Sequence, residues 1–259
     1  MKNVNLNISH LLASLLLTAS FSACSWLDVG SNSEIDGDEM FLNTEGYYTA
    51  ITGIYVNMGN SDIYGGLLPL LALEPLTQQY TQPDNDPDRQ KWGQYNYTTD
   101  GAKTFIDAVW GTMYNTIVND NLLIENLQKE DCPPFDEGVR EILTGEALGL
   151  RAYMFFDLLR IYNTAYSVDP TCRNVPLKKD FGFALGEQAT TAQALDYLVE
   201  ELTMARQLLK EHDPIITGIA STNKYVNYDR RFRMNYYAAT ALLARIELYR
   251  GNYAQACAY

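Results

Sequence analysis

Histidine is almost missing from this 259-residue chain: there are two, and His10 lies in a leader expected to be removed, which leaves His212 alone. A zinc site would have to draw on Cys132, Cys172, Cys257 and scattered carboxylates, none at C-x-x-C or H-x-x-x-H spacing. His212 sits in an EHDP segment that closes a helix, where an imidazole favours the last carbonyls, a simpler role than catalytic base. G-x-S-x-G, P-loop and G-x-G-x-x-G motifs are all lacking, so no cofactor is expected. The carboxylate pairs Asp84 with Asp86 and Glu200 with Glu201 have no neighbour that would raise one pKa, and they read as solvated. Together these absences argue against an enzyme.

Positive charge is scarce too. Nineteen Lys and Arg face 32 Asp and Glu, for a net charge of −13, which argues against nucleic acid as a partner because phosphate binding needs basic residues gathered on one face. Long apolar runs are missing: Leu11–Ala19 is about half of what a bilayer span requires, so it reads as a signal-peptide core. Nor does any run alternate at period two for long enough to make a sheet.

What is present is a large apolar fraction, 47%, and 19 tyrosines. That is ample for one domain with its own core, and most of the tyrosines are expected to bury the ring and leave the hydroxyl near the surface. Helical spacing recurs through the chain. Thr44 is expected to cap a helix carrying Tyr47, Ile51, Ile54, Tyr55 and Met58. Pro69 and Pro75 break the apolar Leu67–Thr77 run into a short helix. Phe105–Gln128 forms a second long helix, and Phe135–Tyr162 a third, in which Val139, Leu143, Ala147, Leu150, Met154, Leu158 and Ile161 repeat three or four apart. Thr191 is expected to cap a fourth, with Leu195, Leu198, Leu202, Ala205 and Leu209 on its buried stripe.

The pair Met234–Tyr249 and Asn252–Tyr259 closes the chain. Tyr249, Gly251, Tyr253 and Ala256 match half a tetratricopeptide unit, whose helices need neighbours on both sides to cover their apolar faces. The expected fold is therefore all-α, stacked helical hairpins of tetratricopeptide-repeat type with long irregular loops. Cys257 is expected in the core. A Cys132–Cys172 disulfide is not expected, since both loops would have to fold back along a helix about 40 Å long.

Phe21-Ser22-Ala23-Cys24 resembles the lipobox of bacterial lipoproteins. That resemblance implies a signal peptide over residues 1–23, lipid attachment at Cys24, and a lipidated tether over residues 24–40 ahead of a helical domain over residues 41–259. In the tether, Asp36, Asp38 and Glu39 repel anionic head groups.

Further along, Trp110, Tyr114, Asn119, Asn121 and Leu122 look like one helix motif of a known family, and Glu146-Ala147, Leu150-Arg151-Ala152 and Asp157-Leu158 like another. Val175-Pro176-Leu177 and the Ala238-to-Ala256 segment follow in the same order. Behind a lipobox, these pieces resemble the SusD/RagB outer-membrane lipoproteins of Bacteroidota. The resemblance covers nearly all of this chain but about the first half of a typical member, so Tyr259 is expected to fall short of the family's later loops. It implies a lipid-anchored outer-membrane protein at the cell surface that binds a glycan or other nutrient and delivers it to a SusC-like TonB-dependent transporter. Two alternatives stand beside it: a tetratricopeptide-type adaptor lipoprotein that holds a protein, and a non-binding fragment of a SusD-like protein.

The longest polar stretch, Gln78–Asp100, carries Tyr80, Trp92, Tyr95 and Tyr97 beside Asn85, Arg89 and Gln94. Flat aromatic faces that stack on sugar rings, with Asn, Asp, Gln or Arg nearby for the hydroxyls, suit a glycan. Trp92, Tyr95, Tyr97 and Arg89 are accordingly the candidate ligand contacts; the competing reading is that Trp92 simply packs this loop onto the body.

Overall fold

The computed structural model describes residues 37–79, 85–219, 221, 223–227 and 229–259. Cys24, the leader, most of the tether, Tyr80 and Asp84 lie outside the described residues. The chain divides into two units, Met1–Met40 and Phe41–Tyr259. Of the first, only the helical turn Gly37–Met40 is described.

The second unit is a row of helices. Six of them build the scaffold: α1 (Thr44–Met58), α2 (Asp100–Gln128), α3 (Val139–Tyr162), α4 (Thr191–His212), α5 (Tyr236–Tyr249) and α6 (Tyr253–Ala258). Each packs mainly on the next in the chain, α1 on α2 through to α5 on α6, the nearest-neighbour stacking of a helical-hairpin repeat. Among the described residues there is no strand, only an isolated antiparallel bridge between Leu177 and Glu187. No described helix is long and apolar enough to cross a membrane.

Helix starts fall a little away from the expected positions, and the caps explain why. Asn43 rather than Thr44 accepts from the Gly46 amide to cap α1. Thr190, one residue before the expected Thr191, makes a full capping box with Gln193 at the start of α4. Thr99 caps α2 ahead of its expected start at Phe105. The third helix starts at Val139 instead of Phe135, because Gly138 takes the left-handed conformation at φ 76° and stops the helix from extending backwards.

α3 is the centre of the row. All of its predicted stripe from Val139 to Leu158 is buried, and so are Glu146, Arg151 and Asp157 on its other sides. A helix buried nearly all round needs neighbours at close range. Gly149 provides one such approach, since a Cβ there would lie 2.4 Å from Met234 Cγ.

At the far end the pattern thins. Ala239, Leu242, Leu243 and Ile246 of α5 are buried, whereas no residue of α6 is. Cys257, expected in the core, is exposed, because the short α6 buries none of its residues. Cys132, Cys172 and Cys257 are all free thiols.

Candidate functional site

Between α1 and α2 the apolar run is helical, as expected, and the polar Gln78–Asp100 stretch also contains a helix. Leu67–Leu73 winds as a π-helix and runs into the turn Glu74–Leu76, where Pro75 is buried. A second short helix, Pro87–Gly93, has Pro at its first position and Asp86 as its cap. No apolar period announces so short a helix; the Asp-Pro start is its visible signal.

The candidate residues hang from this helix. Trp92 lies edge-on to both Tyr97 (4.9 Å between ring centroids) and Phe105 of α2 (5.0 Å), and its Nε1 donates to the Ala72 carbonyl at 2.7 Å. The indole therefore does pack the segment onto the body, in keeping with the competing reading. One ring edge is tied to the π-helix, and Trp92 also lines two clefts. One cleft beside it, of about 500 Å³, also has Asp86, Asp88, Arg89 and Phe105 in its walls. The other, of about 520 Å³, is walled by Leu73, Tyr97, Phe105, Ile161 and Tyr162.

Tyr97 shares the Trp92 cluster and remains 42% exposed. Tyr95 is not in that cluster. It holds a left-handed backbone at φ 60°, and its hydroxyl donates to the Leu76 carbonyl at 3.0 Å, which leaves the ring 57% exposed. Arg89 pairs with Asp86, Nε to Oδ2 at 3.3 Å, while the other Asp86 oxygen accepts from the Arg89 amide. The structure thus brings Trp92, Tyr97 and Arg89 around adjoining clefts and sets Tyr95 on the outer side of the same segment.

Chemically these clefts offer aromatic edges and faces, aliphatic walls and a few charged groups. Among the described residues no group of three or more His, Cys, Asp or Glu could hold a metal ion. His212 is the last residue of α4, 3.9 Å from Glu211, and takes the helix-end position expected of it.

Several polar residues of the helix motifs are interior, and their partners have no signal in the sequence. Arg151 of α3 donates to Asn121 Oδ1 of α2 at 2.7 Å, to Tyr197 of α4 at 3.1 Å, and to Glu201. Arg230 reaches two fully buried carboxylates, Glu146 and Asp213. Asp157 pairs with Arg160 at 2.8 Å. Of these only the three-residue step from Asp157 to Arg160 leaves a trace in local spacing.

A family model described as SusD-like, starch-binding and associating with the outer membrane matches residues 25–248. Solved structures share the fold. A SusD superfamily protein from Bacteroides vulgatus is 23% identical with a TM-score of 0.63, over 83% of this chain and 45% of that one. A SusD-like carbohydrate-binding protein from the same species is 18% identical with a TM-score of 0.62, over 84% of this chain and 44% of that one. A laminarin-binding SusD-like protein is 21% identical with a TM-score of 0.60, over 83% of this chain and 42% of that one. This chain therefore spans less than half the length of these structures. No match was found among curated proteins.

Proposed function

Since this chain belongs to the SusD-like family of starch-binding proteins that associate with the outer membrane, we propose that it is a surface lipoprotein that holds a glycan against the Trp92 clefts. It would pass that glycan to a SusC-like TonB-dependent transporter, with Cys24 carrying the acyl anchor. The observation that carries the reading is the placement of Trp92: it is fixed by the Ala72 carbonyl and by two aromatic edges, yet flanked by open clefts with Tyr97 and Arg89 at their rims. A preorganised aromatic of this kind loses little entropy when a pyranose ring settles on it. Arg89, Asp86 and Asp88 supply hydrogen-bonding groups for sugar hydroxyls. No covalent chemistry is required of any of them.

Isothermal titration of the 259-residue chain with laminari-oligosaccharides and malto-oligosaccharides tests the glycan reading. Trp92→Ala is expected to weaken binding at least tenfold; undiminished affinity in a folded Trp92→Ala variant would contradict it. Anchoring has its own test. Cys24→Ala should move the protein from the membrane fraction to the soluble fraction, and retention on membranes would count against lipidation at that residue.

A further inference from the structure

Next to the Trp92 clefts lies another. A larger cleft, of about 820 Å³, adjoins the one beside Trp92 and shares Leu68, Leu73, Leu76 and Ile161 with it as common walls. Its character changes along its length. Apart from two tyrosines, its ionisable lining is Asp157, Arg160 and Arg245. Asp157 is nearly buried, its side chain 10% exposed, and it is already paired with Arg160 at 2.8 Å. Arg245 stands at the outer limit of ion pairing, 4.0 Å from the same oxygen. One carboxylate thus faces two guanidinium groups, and both remain open to the cleft, at 39% and 45% exposure.

The Arg245 guanidinium is steadied over the rings of Tyr153 (5.8 Å) and Phe156 (5.6 Å), and Arg160 also lies over Phe156 at 5.6 Å. In a chain of net charge −13, a local excess of positive charge held in place beside a cleft is unusual. Guanidinium groups fixed in this way offer planar pairs of N–H donors that match carboxylate and sulfate oxygens.

Resting on the glycan reading, we propose that this end of the groove binds the acidic group of a uronate- or sulfate-bearing oligosaccharide, with Arg160 and Arg245 as its specificity-determining residues. The neutral part of the sugar chain then lies along the shared aliphatic wall toward Trp92, and the anion sits between the two guanidinium groups. Asp157 is a positioning residue: it orients Arg160 and leaves the second charge uncompensated.

The test is titration of the full chain with three probes of equal length: tetragalacturonate, a sulfated carrageenan tetrasaccharide and neutral maltotetraose. At low salt an acidic probe should bind at least tenfold more tightly than the neutral one, and that advantage should shrink as salt screens the pairing. Preference for either acidic probe supports the proposal and identifies the anion. Arg160→Gln with Arg245→Gln should bring the acidic probe to within twofold of the neutral one, whereas Arg160→Lys, which keeps the charge but not the planar donor pair, should keep part of the preference. Should the double variant lose its helical circular dichroism, Arg245→Gln alone, at the more exposed of the two positions and only 4.0 Å from Asp157, is expected to lower the acidic preference about threefold. Neutral binding that Trp92→Ala abolishes, with no acidic preference in the parent chain, would overturn this inference and leave the glycan reading standing. Failure of all three probes would overturn this inference, and failure of laminari-oligosaccharides as well would overturn the glycan reading.

Discussion

The inside of the helix row and the segment around Trp92 are held by different means. Around α3, charged side chains are locked by several partners each: Arg151 by Asn121, Tyr197 and Glu201, and Arg230 by Glu146 and Asp213. Around Trp92, side chains are held one bond at a time and by backbone carbonyls: Trp92 by Ala72, Tyr95 by Leu76. The difference teaches what each region tolerates. A buried network fixes how the helices are registered and fails as a unit, because removing one partner strands the others. A segment held by single bonds to carbonyls can exchange side chains, and hence ligands, without disturbing the scaffold.

The sharpest way to break this contrast is at Arg230. Its guanidinium is the shared partner of Asp213 and Glu146, both fully buried, with Arg233 contributing only at 3.7 Å from Glu146. Arg230→Met would leave the two carboxylates short of a counter-charge and should cost about 3–5 kcal/mol, read from urea unfolding midpoints. A loss below about 1 kcal/mol would mean that the network does not behave as a unit.

Asp120 sharpens the comparison from within the network, as the member that lacks a bond. Among the described residues neither of its buried carboxylate oxygens has a hydrogen-bond partner. It faces Tyr55 from α1, Arg151 from α3 and Glu201 from α4, and the Arg151 charge is already committed to Glu201. Burial pushes the Asp120 carboxyl well above the usual carboxylate range, outweighing the pull of Arg151. The native state therefore keeps a proton that the unfolded chain releases above about pH 4. Its contribution to stability is fully present below that pH and is lost as pH rises toward the native pKa. Asp120→Asn should match the parent at about pH 4 and exceed it at about pH 8, by at least about 1 kcal/mol, since each tenfold difference in proton affinity between the native and unfolded chains is worth about 1.4 kcal/mol. Superimposable stability profiles over that range would refute the buried neutral acid.

What the sequence makes legible follows the same division. The stripe on α3 from Val139 to Leu158 is readable because helical period is a local property, and every one of those residues is buried. Helix starts slip by a few residues because two threonines or an Asn-Thr pair compete to cap, and the winner depends on side-chain geometry. Pro87–Gly93 escapes sequence reading as a helix because seven residues are too few to show a period. The partners of Arg151 and Arg230 are out of reach for a different reason. Glu201 is 50 residues from Arg151, and nothing in the spacing of a single chain links them. At the candidate site the aromatics stand out in the sequence, but whether Trp92 packs or binds does not; the structure shows that it packs on one edge while its surroundings stay open.

The smallest expected effect lies in the segment around Trp92, at Tyr95. Its hydroxyl donates its one proton to the Leu76 carbonyl, so toward a sugar it can act only as an acceptor or through its exposed ring. Tyr95→Phe deletes a single bond at a site open to water, where solvent can satisfy the carbonyl, and should cost about 0.5 kcal/mol or less. Glycan affinity should stay within about twofold of the parent, since the ring face is kept and the clefts that flank Trp92 do not include Tyr95. A cost above about 2 kcal/mol would show that the segment is held as cooperatively as the interior, because one exposed hydrogen bond cannot account for it.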